Sequence, residues 1–271
     1  ELIEFLGDAD CAVIGLEKLT KSVIAKFPPR LQVLSKYGVG LDNIDQDSLQ
    51  GVGIPLLISS GVNKQSVAEL SLGMMLSLIK GAFQSYGCLS GNRWSQVKGR
   101  DLRGKTVGIV GVGNVGERLF ELLQPFETVC LGYDILEKPH LIANGLNYVS
   151  LDTLFAKSDV VSLHLPLTEK THGIINSHLL QSLKADAVMI NTARDGILDY
   201  GCLRDLLVSE RIFGVGLDVF PAEPRPDLFF LGREDVFATP HVGGSTTDSI
   251  LSMGQASIDR LVEFFDLNPT R

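Results

Sequence analysis

Three residues of the chain have the chemistry to oxidise an alcohol that stands beside a carboxylate. Arg194, Glu223 and His241 each follow an apolar, β-branched run: 187 to 193, 213 to 220 and 236 to 240. In an open α/β sheet, ligands bind outside the carboxyl ends of the strands, so three such side chains can share one crevice. A guanidinium fork clamps a carboxylate and a developing carbonyl oxygen. An imidazole takes the hydroxyl proton as hydride leaves the carbon, and a carboxylate behind it fixes its tautomer. Taken singly, Arg194 reads equally well as a surface ion pair, and Glu223, within Pro221 to Pro226, as an exposed loop acid. His241 stands between Pro240 and Gly243-Gly244, where backbone can pass close to a ligand.

A hydride needs a carrier, and the stretch from Thr106 to Asp134 is built for one. Thr106 to Val110 reads as a buried strand that runs into Gly111-Val112-Gly113-Asn114-Val115-Gly116, and a helical pattern follows at once. This is the strand, glycine turn and helix start of a dinucleotide fold. Gly111 allows the tight turn, Gly113 lets a pyrophosphate approach bare backbone, and Gly116 lets helix and strand pack closely. The helix start offers oriented N-H groups to phosphates. Asp134 closes the next strand, 18 residues past Gly116. A carboxylate there accepts from both ribose hydroxyls and repels a 2′-phosphate, which favours NAD over NADP.

The elements that must position these residues are legible as strand-like runs at 11 to 15, 31 to 37, 106 to 110, 128 to 134, 160 to 165, 187 to 193 and 213 to 220. Near-continuous apolar strands alternating with helices indicate a doubly wound parallel α/β sheet covered on both faces. Helices are expected over 114 to 124, stopped by Pro125, over 200 to 209, and over about 66 to 86, the last dense enough in apolar residues for a core, interdomain or dimer-facing helix. Glycines at 81, 87, 91, 99 and 104 suggest a domain boundary there. The expected division is a discontinuous domain of residues 1–80 and 247–271 and a dinucleotide-binding domain of 81–246.

Composition narrows the class. At 271 residues, 45% hydrophobic and 21% charged, the chain can bury about three quarters of its unfolded surface, as a well-packed globular protein does. A net charge of −8 weighs against nucleic acid as a partner. Cys11, Cys88, Cys130 and Cys202 are scattered, with no CxxC pair and no histidine at metal-ligand spacing, so reduced thiols, a cytoplasmic location and no metal are expected. The longest apolar stretch, Leu70 to Ile79, is too short for a membrane span and is interrupted by polar and glycine residues.

Ordered motifs extend this reading across nearly the whole chain: Lys36 to Asp45; Asn63 with Ser66-Val67-Ala68-Glu69; the glycine turn; His164 to Thr168; Asn191 to Arg194; Leu217 to Phe220 with Glu223-Pro224; and Thr239 to Thr246. In these the sequence resembles the D-isomer-specific 2-hydroxyacid dehydrogenases, most of all the branch that oxidises 3-phosphoglycerate. The resemblance implies a Rossmann cofactor domain beside a flavodoxin-like substrate domain, with substrate held between the two, NAD as cofactor, and a homodimer joined through the cofactor domains. It implies Arg194, Glu223 and His241 as the catalytic set. It puts Asn114 and Val115 under the pyrophosphate, Asp134 on the adenosine ribose, Leu165 and Thr192 along the cofactor, and Asp218 near the nicotinamide amide, with Gly243 and Gly244 beside it. It makes the loop of Gly38, Val39 and Gly40 the cradle of the substrate carboxylate, shared with Arg194. Lys36 stands where a cation can reach a substrate phosphate, or equally where its stem lies over the core. His164 and Asp42 match family positions and read as structural.

The implied reaction is oxidation of 3-phosphoglycerate to 3-phosphohydroxypyruvate, a step of serine biosynthesis. Hydroxypyruvate or glyoxylate reduction and D-lactate oxidation use the same catalytic set, and the family's corepressors, which sense NADH, keep the same motifs. Two departures stand out. Asp195 occupies the position after Arg194 where the family has glycine, and the chain begins at Glu1, about forty residues inside the family's first domain, so that its substrate half is expected to lack a leading βαβ unit. The C-terminal regulatory domain of some relatives is likewise expected to be missing, and control by serine with it.

Overall fold

The computed structural model describes residues 2–265. It contains two compact units, one formed by residues up to 63 together with those from 244 onward, the other by 64–243.

The smaller unit has three parallel strands, β1 (Cys11–Ile14), β2 (Val33–Lys36) and β3 (Leu56–Leu57), in the order β1-β2-β3. Every residue of β2 is buried, as a strand with neighbours on both edges and both faces must be. The helix Thr247–Phe264 is tied to it by two buried serines. Ser35 Oγ donates to the Ser257 carbonyl at 2.8 Å, and Ser257 Oγ donates to the Lys36 carbonyl at 3.0 Å. Leu6, Ile14, Leu19, Ile24 and Leu34 form the unit's core.

The larger unit is a seven-stranded, all-parallel sheet. Its strands are β4 (Thr106–Val110), β5 (Val129–Tyr133), β6 (Asn147–Tyr148), β7 (Val160–Leu163), β8 (Ala187–Asn191), β9 (Ile212–Leu217) and β10 (Val236–Ala238). They lie in the order β6-β5-β4-β7-β8-β9-β10, so the winding reverses between β4 and β7, the place where this architecture opens a crevice. Each face carries its own apolar layer. One is built on Leu154, Phe155, Leu180, Leu203 and Leu207, and the other on Met74, Leu78, Leu119, Phe120 and Leu123. Burying each such side chain contributes about 1.5–3 kcal/mol before the entropy of ordering is subtracted.

Two expectations are corrected here. The helix expected over 66 to 86 is two helices, Lys64–Ile79 and Ala82–Ser90, bent by 70°. Gly81, at φ 69°, takes the left-handed conformation that glycine adopts without penalty, and the chain turns there. The boundary expected near residue 80 accordingly falls at 63/64, because Lys64–Ile79 belongs to the larger unit's core: Met74 packs over Gly216 and Leu78 over Gly214, both on β9. Tyr86 and Leu89 on the second helix, and Trp94 after it, are exposed. No single described helix is long and apolar enough to cross a membrane.

Candidate active site

The glycine turn is formed as its spacing requires. Gly111 has φ 90°, and a Cβ there would lie 2.8 Å from the main chain of His164; a Cβ on Gly116 would lie 2.0 Å from the Gly111 carbonyl oxygen. Only glycine permits strand and helix to approach so closely. At Gly113 a Cβ would meet nothing within 4 Å, so this backbone borders open space. The helix that follows, Asn114–Leu123, starts at Gly113 with no side-chain cap, leaving first-turn N-H groups for a ligand. Asp134 stands just past the end of β5, and its Oδ2 accepts from the Val112 N-H at 2.7 Å. The carboxylate is thereby fixed at the lip of the turn. These features fit a dinucleotide: bare backbone for the pyrophosphate and an acid for the ribose.

The catalytic candidates come from adjacent strand ends. Asn191 on β8 pairs with Leu217 on β9, which pairs with Ala238 on β10, so the three strands finish level. Arg194 follows the first in extended conformation, half-buried, with Nη1 donating to the Ala193 carbonyl at 2.7 Å. Asn191 braces this turn: its Nδ2 donates to the Arg194 carbonyl at 3.0 Å and its Oδ1 accepts from the Ala193 N-H at 3.1 Å. Asp195, the departure from the family pattern, opens a short 3-10 turn. Its charge, after the larger effect of burial, helps to push the Tyr200 hydroxyl's pKa upward.

Glu223 and His241 meet directly. Glu223 Oε1 accepts from the Phe220 N-H at 2.9 Å, and Oε2 lies 2.9 Å from His241 Nδ1. An ionised carboxylate only accepts, so Nδ1 carries the proton and Nε2 keeps the lone pair in the neutral ring. This is the orientation a general base needs. His241 has φ 55°, in the left-handed region, a conformation that its surroundings must hold.

The holding group is Asp218, 1% exposed. Its Oδ1 accepts from Thr239 Oγ1 at 2.6 Å and from the Val242 N-H at 2.7 Å, and its Oδ2 accepts from the Gly243 N-H at 2.8 Å. The carboxylate thus brackets His241 from both sides in sequence, a role that sequence reasoning missed when it assigned Asp218 only to the nicotinamide amide. Ser66, 7% exposed, donates from the helix Lys64–Ile79 to the Gly243 carbonyl at 2.5 Å. Five residues further on, Ser71 Oγ shares a hydrogen bond of 2.8 Å with Thr192 Oγ1. The Ser66-Val67-Ala68-Glu69 motif pointed to this helix but not to its task of bracing two of the turns. Leu165 is half-buried just past β7. His164 beside it is structural, as expected: its Nε2 lies 2.9 Å from Ser162 Oγ, its Nδ1 is buried without a partner, and burial pushes its pKa down to about 3. It therefore stays neutral at working pH.

In the smaller unit the Gly38 to Gly40 loop follows β2, with Gly38 at φ 94°. Gly244 also belongs to this unit. Lys36 is corrected. It is 4% exposed, with Nζ donating to the Gly15 carbonyl and, at 3.4 Å, to Asn43 Oδ1. A buried ammonium must satisfy its donors within the protein, and this one is directed at the β1 loop instead of outward to a phosphate. Among the described residues no group of three or more His, Cys, Asp or Glu side chains is placed to hold a metal ion.

Comparison with known proteins agrees with this geometry. Residues 72–243 match the family model for the NAD-binding domain of D-isomer specific 2-hydroxyacid dehydrogenases. The hydroxypyruvate reductase of Thermotoga maritima is 34% identical over 266 residues, covering 96% of this chain and 86% of that one. The D-3-phosphoglycerate dehydrogenase of Methanocaldococcus jannaschii is 34% identical over 259 residues, covering 94% of this chain but 49% of its own length. The chain thus spans about half the length of this and the other curated phosphoglycerate dehydrogenases it matches by sequence. A D-lactate dehydrogenase from Aquifex aeolicus, solved with NAD and lactic acid, superposes with a TM-score of 0.87 at 29% identity, covering 97% of this chain and 85% of that one. A glycine turn fitted to a dinucleotide, an oriented Glu-His pair and these likenesses lead to one assignment: the chain belongs to the NAD-dependent D-isomer-specific 2-hydroxyacid dehydrogenase family.

Proposed function

We propose that the protein interconverts a small D-2-hydroxyacid and its 2-oxo acid, with hydroxypyruvate as its first substrate and His241 as the acid-base group. The observation that carries the reading is the hydrogen bond between Glu223 Oε2 and His241 Nδ1. When bound, NAD accepts or returns the hydride at C2 of the substrate. In the oxidative direction His241 Nε2 accepts the hydroxyl proton, and Glu223 stabilises the imidazolium that forms. In the reductive direction the same imidazolium delivers its proton to the new alkoxide oxygen. Arg194 is assigned to the substrate carboxylate and the C2 oxygen, and the backbone N-H groups of Gly38, Val39 and Gly40 to the carboxylate. For the cofactor, Gly111, Gly113, Asn114, Val115 and Gly116 take the pyrophosphate and Asp134 the ribose, while Leu165, Thr192, Asp218, Gly243 and Gly244 line its path.

Hydroxypyruvate is preferred over 3-phosphohydroxypyruvate because Lys36, the cation expected at the phosphate, is directed inward. The phosphorylated substrate, and with it a place in serine biosynthesis, is the second reading, favoured by the relatives named for it. We further propose a cytoplasmic homodimer. Four free thiols support the location, and the exposed Tyr86, Leu89 and Trp94 support the association. NADH oxidation with hydroxypyruvate, 3-phosphohydroxypyruvate, glyoxylate and pyruvate tests the substrate. The proposal expects the highest kcat/KM with hydroxypyruvate. A phosphorylated substrate better by tenfold overturns that choice, and tight NADH binding with no turnover on any acid points to a sensing protein of the corepressor type.

A further inference from the structure

A cluster of charges beyond Asp134 has no part in the chemistry described so far. The segment after β5 runs Asp134, Ile135, Leu136, Glu137, Lys138, Pro139, His140. It curls about the acid that starts it, the Leu136 N-H lying 3.3 Å from Asp134 Oδ1. Its two basic side chains are both held by one carboxylate on another element. Glu117, in the first turn of the helix Asn114–Leu123, accepts from Lys138 Nζ at 2.5 Å through Oε2 and lies 3.0 Å from His140 Nε2 through Oε1. The Lys138 ammonium and the Glu117 carboxylate are each less than one third exposed, so solvent screens this pair only in part. The acid's pKa is lowered, chiefly by Lys138 and also by His140, against the opposing effect of burial. Tyr148 ties the cluster to the ribose acid. Its hydroxyl accepts from the Lys138 N-H at 3.2 Å, and the charge of Asp134 reaches it as well.

We propose that Glu117 is a second determinant of cofactor choice, holding Lys138 and His140 away from the position where a 2′-phosphate would sit beside Asp134. The inference rests on the reading that Asp134 meets the adenosine ribose. In this architecture, acceptance of a 2′-phosphate depends on a cation near that position. The chain possesses a lysine and a histidine in the right segment, and Glu117 engages both. Selectivity for NAD is then produced by two acids, Asp134 repelling the phosphate and Glu117 withholding the groups that would attract it. Releasing the cations changes the charge offered to a phosphate without altering the surface offered to a ribose hydroxyl.

The test is direct binding, measured by quenching and energy transfer with NADH and NADPH and by calorimetry with 2′-AMP as a probe of the phosphate position. Glu117→Gln keeps the shape and removes the charge. It is expected to tighten NADPH and 2′-AMP binding about tenfold, the scale of one new charge-assisted contact, with NADH binding changed less than about twofold. Adding Lys138→Met and His140→Ala to that variant is expected to abolish the gain. An unchanged NADPH to NADH ratio in Glu117→Gln overturns the proposal. So does a gain that survives the two further substitutions, since the carboxylate would then act through its own charge alone. Asp134→Ala, measured alongside, separates the two levels. If it leaves the NADH to NADPH ratio untouched, the ribose reading itself fails; if it shifts the ratio while Glu117→Gln does not, only the inference about Glu117 fails.

Discussion

Asp218→Asn is the substitution that asks most of the structure. The carboxylate accepts three hydrogen bonds at 2.6, 2.7 and 2.8 Å, from Thr239, Val242 and Gly243, in a site only 1% exposed. An asparagine of the same shape can keep its carbonyl oxygen toward Thr239 and Val242, but its NH2 then faces the Gly243 N-H, donor against donor. One charge-assisted bond is lost, worth about 1.5–3 kcal/mol, and a buried N-H is left unsatisfied at about 1–3 kcal/mol. A combined loss of about 3 kcal/mol is expected. His241, held in the left-handed region between the anchored residues, is the residue able to relax. If that loss falls on its placement, kcat drops about 10²-fold. The assay is steady-state NADH oxidation with the preferred 2-oxo acid, paired with NADH titration and thermal melting. The expected result is a large fall in kcat and a melting temperature lower by several degrees, with the NADH titration reading separately any loss at the nicotinamide. A variant with wild-type kcat and wild-type melting refutes the argument that Asp218 holds the His241 turn.

Three other outcomes follow from the same physical reasoning. His164 has an ordinary pKa of 6.5 and a folded value near 3. The unfolded chain therefore takes up a proton that the native state refuses, and stability present above pH 6.5 is lost as pH falls, by about 1.4 kcal/mol per unit. Denaturant melts of wild type and His164→Asn at pH 7 and pH 5 are expected to converge by about 2 kcal/mol, and parallel pH profiles contradict this. Asp134→Ala is expected to weaken the preference for NAD over NADP in kcat/KM, and an unchanged ratio removes the acid from the ribose. Gly116→Ala places a methyl 2.0 Å from the Gly111 carbonyl oxygen. It is expected to cost about 1–3 kcal/mol of stability or more and to weaken NADH binding, so a variant that binds NADH normally contradicts the packing role.

The cofactor half of the fold was legible because its strands are short apolar runs between strong helix and turn signals. Thr106–Val110 is observed with the bounds expected, and Val160–Leu163 and Ala187–Asn191 end within two residues of theirs. The two-residue strands Leu56–Leu57 and Asn147–Tyr148 went unread, because edge strands of that length carry no periodicity. The broken helix was misread because its composition stays apolar through Gly81, and a single glycine inside a helical pattern is ambiguous until its φ is known. In the site, the residues assigned to ligands were visible as motifs. Asn191, Ser66 and Thr239 stood in those motifs without a role, and their bracing, like that of Ser71 and Asp218, was not legible, since a buried polar side chain acquires a partner only through the tertiary fold. Lys36 illustrates the reverse: its position in the motif suggested an outward cation, and the demands of a buried ammonium turned it inward.

The most direct test of the central claim compares His241→Ala with wild type at saturating NADH and hydroxypyruvate, with NADH affinity measured by fluorescence in the same samples. The account predicts that wild type turns over, and that the variant binds NADH as wild type does while kcat falls by roughly 10²- to 10⁴-fold. Retained kcat in His241→Ala, or loss of NADH binding with kcat intact, contradicts the assignment of His241 as the acid-base group.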